Sequence, residues 1–408
     1  MTGTERIIII GGGQAGSQAA VSLRQAKFDG TIDLFCAEAE LPYQRPPLSK
    51  AYLKGDLAAE RLYFRNAASY EEQAITVHLS QKIASLNPAK KTIVTEAGDE
   101  HGYDKLLLAT GAPPRRLPCP GADLQEIYYL RSIADSDALR AVLKGSGPVA
   151  IVGAGYIGLE VAAVLRQAGR EVSVIEATER VLARVASPPV SAFFERRHRE
   201  AGVDLRLGIG VEGFSGEGSV HAVTLADGSE IACTAVLVGI GAVPEIALAE
   251  QAGINVGNGI FVDDHARTSD PYIWAVGDCA FFPSPRYQRS MRLESVPNAI
   301  EHAKAAATNM AGGDVVYDAL PWFWSDQYET KLQTVGLMEG YDQLVVRGDP
   351  DKNVFSVWYF ASDNLIAVDA ISDPAAFMVA KKLLGNGASP TPVELADPAT
   401  DLKGLLKR

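Results

Sequence analysis

The 408-residue chain carries a formal charge of −12 and an isoelectric point near 5.1, with 47% apolar and 22% charged residues. That acidity opposes a nonspecific hold on nucleic acid or anionic lipid, and the composition excludes a disordered chain. The length suits two or three domains rather than one core. No apolar run reaches the ~18 to 20 residues that cross a bilayer, and a strand is under way by Ile7 with no leader-like stretch before it, so a cytoplasmic protein is expected.

In chain order, Ile7–Ile10 reads as a strand, the residues from Ala15 to Ala26 as a helix, and "TIDLFCA" as a second strand. "KTIVTEAG" and "GYDKLLLATGA" suggest an antiparallel excursion and a return to the sheet; "PPRRLPCPGAD" reads as a linker. The pattern then restarts. A strand at Val149–Val152, a glycine turn, a helix to about Gln167 and the strand "EVSVIEA" repeat the first half, with Gly153 standing 142 residues after Gly11. That period is too long for a solenoid and fits two βαβ domains. "VSAFFERRHREAG" follows as a helix, then "VDLRLG", "VHAVTLADG" and "EIACTAVLVGIGA" as strands. "GIFVDDHART" and "YIWAVGDCA" read as strands returning to the first domain. From about Tyr317 the segments "KLQTVGLM", "QLVVRGD", "FSVWYFAS" and "LIAVDAIS" alternate as antiparallel strands, "PAAFMVAKKLLGNG" closes as a helix, and the polar residues beyond Gly387 are expected to pack on the surface or fray. The expected division is 1–111 with 243–316, 112–242, and 317–408.

"IIIIGGGQAGSQAAVSL" and "AIVGAGYIGLEVAAVL" each place G-x-G-x-x-G between a strand and a helix. In such a turn Gly11 and Gly153 permit the tight bend, Gly13 and Gly155 let a pyrophosphate reach the backbone, and Gly16 and Gly158 let helix and strand close together. A glycine-rich turn without a ligand is the alternative for either loop alone. Glu176, ending the strand after the second loop, can accept from adenosine ribose hydroxyls and repel a 2′-phosphate, favouring NADH over NADPH, unless it is a solvated strand-end acid. After the first loop the candidate is Glu38. Two dinucleotides on one chain make chemical sense as a resident flavin and a visiting nicotinamide.

With the two loops, "YQRPPLSKAYL" (43–53), "LLLATGAPPR" (106–115), "WAVGDCA" (274–280), "VPNAIEHA" and "PWFWSDQYE", the chain resembles the FAD-dependent ferredoxin reductases of bacterial cytochrome P450 and ring-hydroxylating dioxygenase systems. The resemblance covers nearly the whole chain. It implies an α/β, glutathione reductase-like fold: two Rossmann-type dinucleotide-binding domains, for FAD and NAD, and a C-terminal α+β interface domain. It also implies bound FAD, NADH as co-substrate, and a [2Fe–2S] ferredoxin as partner. No nucleic-acid or membrane partner is expected, and assembly is expected to stop at a monomer or weak homodimer.

By that resemblance the FAD residues are Gly11, Gly13, Ala15, Gly16, Glu38, Arg45, Lys50, Ile83, Ala109, Thr110, Gly111, Arg131, Gly277, Asp278, Val296, Trp322 and Trp324. Ala15 would offer its amide to the pyrophosphate, Ile83 would touch the adenine end, and Asp278 would hold the ribityl hydroxyls. A helix beginning near Val296 and Pro297 would aim its positive end at the pyrimidine edge, where reduction places negative charge; an ordinary proline-started helix is the alternative. The NAD residues are Gly153, Gly155, Ile157, Gly158, Glu160, Glu176, Arg184 and Gly241, with a solvated arginine the alternative for Arg184. Lys50 and Glu160 are the candidate catalytic pair, an ion pair beside the flavin that orients the nicotinamide, or else a plain surface lysine and a helix N-terminal acid. Trp322 and Trp324 share one side of an extended segment, either lining the pocket or packing the interface module. Lys304, Lys381 and Lys382 are candidate ferredoxin-docking residues or plain solvated lysines.

The family commonly has an acid where this chain has Ala37. The four cysteines, Cys36, Cys119, Cys233 and Cys279, make neither a vicinal redox pair nor a zinc-ligand spacing, so no thiol relay and no metal are expected. Two other functions stay open: an NADH oxidase or peroxidase, and a redox-sensing NADH-binding interaction protein.

Overall fold

The computed structural model describes residues 4–407. Packing divides the chain into two compact units, one formed by residues up to Gln44, Ala59–Pro113 and Ala242–Ala319, the other by Arg45–Ala58, Pro114–Gly241 and residues from Leu320 onward.

The first unit is built on a five-stranded, all-parallel sheet in the order Ile273–Ala275, Lys105–Leu108, Arg6–Ile10, Thr31–Phe35, Ile75–His78. From Ile7 to Ile10 the central strand is apolar, as a strand covered on both faces must be, and Ile7, Ile8 and Ile9 are fully buried. Against one face lie the helices Gln14–Gln25 and Val296–Met310; their alanines Ala19, Ala20, Ala303, Ala306 and Ala307 meet Ile7, Ile9 and Leu107 in one core, short side chains allowing close approach. Of the two stretches read as returning strands, only the second joins this sheet. "GIFVDDHART" contributes Gly259–Phe261 to a separate four-stranded sheet, then bends where the Asp263 carboxylate accepts from the amides of His265 and Arg267.

The second unit repeats the parallel plan in the order Asp204–Leu207, Val172–Glu176, Val149–Val152, Ala235–Val238, Ile127–Tyr128. "EIACTAVLVGIGA", read above as one strand, is two. Glu230–Ala232 belongs to a three-stranded antiparallel sheet and Ala235–Val238 to the parallel one. The switch falls between Cys233, whose amide donates to His221, and Thr234, whose amide donates to Pro148.

The same unit carries an antiparallel sheet in the order Trp322–Gln327, Thr330–Gly336, Asn364–Ile371, Val354–Ala361, Gln343–Asp349. Its helix Pro374–Asn386 buries Phe377, Ala380 and Leu383 against Val335, Trp358 and Val368. The polar tail does not fray. A capping box at Thr391 and Glu394 starts the helix Pro392–Ala396, Leu395 and Leu405 join the core, and the Arg347 guanidinium donates to the carbonyls of Leu395, Asp397, Pro398 and Thr400. Composition concealed this, because the tail is held by main-chain carbonyls and two leucines rather than by an apolar stripe. Among the described residues no helix is long and apolar enough to cross a membrane.

Candidate functional site

The two glycine loops have nearly the same backbone. Gly11 and Gly153 sit at φ 117° and 103°, which disfavours any side chain, and a Cβ on them would lie 2.2 Å from the Ala109 carbonyl oxygen and 2.5 Å from that of Gly239. A Cβ on Gly16 would stand 1.9 Å from the Gly11 oxygen, and one on Gly158 2.1 Å from the Gly153 oxygen. Gly13 and Gly155 differ from the others: both are extended, both precede a helix without a side-chain cap, and a Cβ on either meets nothing within 4 Å. Helix-start amides beside open space fit the pyrophosphate of a dinucleotide, in both units.

Around the first loop, Ala15 is buried beside Gly277, which adopts φ 76°, and the carbonyl of Asp278 accepts from Arg292 at 3.1 Å. Thr110 anchors its turn by donating to the Glu245 carbonyl at 2.7 Å, between Ala109 and the positive-φ Gly111. Ile83 opens the strand Ile83–Asn87 and is buried. Val296 is the first residue of its helix, whose cap Ser295 accepts from the Asn298 amide.

The two strand-end acids are not equivalent. The Gly153 amide donates to Ile175 as the Gly11 amide donates to Phe35, so the position of Glu176 corresponds to Cys36. Glu176 accepts from the Ala154 amide at 2.8 Å and from the Thr178 amide and hydroxyl at 2.9 Å each, tying the strand end to the glycine loop. Cys36 packs under Gly12, and Glu38, two residues on, accepts from the Tyr43 hydroxyl. Ile157 is exposed on the first turn of its helix, and Arg184 lies beside Gly241, which has φ 105°.

The RPPLSK segment forms a 3-10 turn, Pro46–Ser49, its two prolines fixing the backbone. It is pinned to the helix Ile133–Lys144: Ser136 donates to the Leu48 carbonyl at 2.9 Å, Tyr52 to Asp137 at 2.9 Å, and Arg140 to the Tyr52 carbonyl at 2.5 Å. Arg45 donates to the Arg131 carbonyl at 2.7 Å. On this mount Lys50 Nζ reaches Glu160 Oε2 at 2.5 Å, with the lysine side chain 19% and the carboxylate 4% exposed. Ser49 donates to the same oxygen at 2.5 Å and Ser325 to Oε1 at 2.6 Å. The pair Lys50 and Glu160 is therefore brought together, with two serines that sequence reasoning passed over.

Trp322 and Trp324 lie on one side of their strand with ring centroids 5.6 Å apart, while Phe323 on the other side meets Tyr156 at 4.6 Å. Trp322 also packs on Phe377, with Lys381 Nζ 4.5 Å above its ring. Lys304 is exposed and paired with Glu301 on its own helix at 2.8 Å, and Lys382 is exposed.

All four cysteines are free. Burial pushes the thiol of Cys36 up to about 12 and that of Cys233 up to about 11, and raises Cys279 and Cys119 as well. None has the lowered value of a reactive thiolate. Iodoacetamide at neutral pH is accordingly expected to leave NADH-dependent flavin reduction unchanged, with at most the partly exposed Cys119 carboxamidomethylated by mass spectrometry.

Residues 5–303 match the family model for pyridine nucleotide-disulphide oxidoreductases, and residues 322–406 match the reductase C-terminal model. The chain belongs to the pyridine nucleotide-disulphide oxidoreductase family. Within that family it is 45% identical to the 5,5'-dehydrodivanillate O-demethylase ferredoxin reductase subunit of Sphingobium sp., covering 98% of this chain and 97% of that one. It is 43% identical to rhodocoxin reductase of Rhodococcus erythropolis, covering 98% and 94%. The structure of the covalent putidaredoxin reductase–putidaredoxin complex superposes with a TM-score of 0.96 at 40% identity, covering 100% of this chain and 99% of that one. The α/β fold with two Rossmann-type domains and a C-terminal domain is thus that of a pyridine nucleotide-disulphide oxidoreductase, here without the vicinal cysteines that the family name evokes.

Proposed function

We propose that this chain is a cytoplasmic, FAD-containing reductase that takes electrons from NADH and passes them to a [2Fe–2S] ferredoxin serving a cytochrome P450 or ring-hydroxylating dioxygenase. The observation that carries this reading is the pair of matched dinucleotide cradles in a chain with no activated thiol, in keeping with similar proteins, matched over nearly their whole length, that are named ferredoxin reductases. Residues 1–111 with 243–316 serve FAD, 112–242 serve NADH, and 317–408 form the interface domain.

When bound, the flavin takes up two electrons from a nicotinamide and gives them up singly. The chain's own residues bind and orient. Gly13 and Ala15 offer amides to the FAD pyrophosphate, Asp278 holds polyol hydroxyls, and the start of the Val296–Met310 helix favours negative charge at its end. Gly155 and Ile157 take the NADH pyrophosphate. The Glu176 carboxylate accepts from ribose hydroxyls and disfavours a 2′-phosphate. Lys50 supplies a fixed positive charge, and Glu160 holds that charge in place without covalent chemistry.

Anaerobic stopped-flow mixing of the yellow protein with NADH, followed by a candidate ferredoxin, tests the reading. Rapid bleaching and then ferredoxin reduction are expected. Fast aerobic NADH consumption without a protein acceptor would instead indicate an oxidase, and slow bleaching with a stable charge-transfer band a sensor. Charge reversal at Lys304 and Lys381 is expected to raise the ferredoxin KM about 10-fold at low salt, an effect that salt should erase. An unchanged KM would remove those lysines from the docking surface.

A further inference from the structure

Behind Glu160 runs a line of buried polar side chains that the reading above does not use. Ser325 Oγ contacts Glu160 Oε1 at 2.6 Å, Gln327 Nε2 contacts Ser325 Oγ at 3.3 Å, His198 Nε2 contacts Gln327 Oε1 at 2.9 Å, and the Tyr328 hydroxyl contacts His198 Nδ1 at 3.1 Å. Ser325 and His198 are fully buried and Gln327 is 1% exposed. Such a line is costly unless every member is satisfied, and here each one is.

The direction of each bond follows from its first member. An ionised carboxylate only accepts, so Ser325 gives its proton to Glu160 and its oxygen accepts from the Gln327 amide nitrogen. That turns the Gln327 oxygen toward His198, which must then donate from Nε2. A neutral imidazole so protonated accepts at Nδ1, and Tyr328 donates there. Every donor in the line points toward Glu160. Burial holds His198 down at about 4, against the opposing pull of its bond to Gln327, so it stays neutral at physiological pH. Tyr328 adopts φ 56° in the two-residue turn between Gln327 and Thr330, a left-handed conformation uncommon outside glycine, and its hydroxyl bond ties that turn to the helix Pro188–Glu200.

We propose that Ser325, Gln327, His198 and Tyr328 form a one-way donor chain that fixes Glu160 as an anion in a single orientation, and so sets the position of Lys50. They are positioning residues. The inference rests on the reading of Lys50 and Glu160 as the working pair. Two serines divide the labour: Ser49 and Lys50 hold Oε2, and the chain holds Oε1. The charged and titratable neighbours are Lys50 and Tyr156 for Glu160, and Arg197 for His198.

The chain makes a statement about one imidazole that can be read without turnover. Long-range proton–nitrogen NMR of the histidine rings in the FAD-containing protein, with the His198 signal assigned by its loss in His198→Asn, is expected to show a neutral ring protonated at Nε2 from about pH 5.5 to about pH 8. An Nδ1-protonated, mixed or cationic ring there would overturn the proposal. In single-turnover reduction by NADH, Ser325→Ala is expected to slow the step ~10-fold with NADH affinity nearly unchanged and the melting temperature lowered, since the buried Gln327 nitrogen loses its acceptor, and Ser325→Thr to restore both. An unchanged rate, or a loss of rate that Ser325→Thr does not restore, would leave the line a packing feature and sink the proposal. If Ser325→Ala does not fold, the wild-type tautomer still decides. If the wild-type flavin is not reduced by NADH at all, the functional reading fails while the tautomer still judges the chain.

Discussion

Glu160→Gln is expected to give a folded, yellow protein whose flavin is reduced by NADH about 100-fold more slowly than in the parent, the loss typical of removing one preorganised charge. The wild-type carboxylate accepts three donors, Lys50 and Ser49 on one oxygen and Ser325 on the other. A glutamine keeps the shape but presents one acceptor and one donor. If its nitrogen faces Lys50 and Ser49, donors oppose donors; if it faces Ser325, that hydroxyl must turn away. Either way Lys50 loses its counter-charge, and since its side chain is 19% exposed it can move toward water rather than remain where the pair held it. The stability cost is smaller than for a fully buried pair, about 1.5–3 kcal/mol. Single-turnover kinetics and thermal melting separate the two effects. A reduction rate equal to the parent's would remove Glu160 from the working pair.

A second contrast distinguishes a loop that packs from a loop that binds. Gly155→Ala is expected to fold normally and to raise the NADH KM about 10-fold or more, whereas Gly158→Ala is expected to lose stability as well, about 3 kcal/mol. Gly155 has φ −79° and ψ −177°, a conformation alanine adopts freely, and no atom stands within 4 Å of the added methyl. Its only cost falls on whatever approaches that backbone. At Gly158 the methyl would sit 2.1 Å from the Gly153 carbonyl oxygen, so helix and turn must separate. Melting curves beside NADH titrations of both variants check this, and Gly13 and Gly16 offer the same comparison for retained FAD. Equal KM values in Gly155→Ala and the parent would mean that this backbone does not meet the cofactor.

What could be read from the chain was what is local in it. The strand, three glycines and helix lie within some twenty residues, and their duplication showed where each βαβ unit begins. The strands from Leu332 to Ile371 were equally plain from their β-branched and aromatic runs, although Val354–Ala361 proves buried on both faces from Phe355 to Phe360. What escaped was set by pairing at long range. "EIACTAVLVGIGA" changes sheets at Thr234 because Pro148 supplies the next carbonyl, which no pattern within the segment reveals. Cys36 takes the place that corresponds to Glu176 because the stretch from Gly11 to Phe35 is longer than that from Gly153 to Ile175, so counting residues misaligns the two halves. The alternation that put Trp322 and Trp324 on one side also put Ser325 and Gln327 on the other. Only Glu160 and His198, far away in sequence, disclose what that second side is for.

The grip of Arg347 on four carbonyls of the tail has a consequence for how the protein is made and handled. During synthesis the antiparallel sheet must wait for residues 395–405 before its last buried leucines and this guanidinium find their partners, so its closing step follows the emergence of that segment. Proteolytic nibbling or premature termination near Gly387 would strip a clasp from the module rather than trim a loose thread.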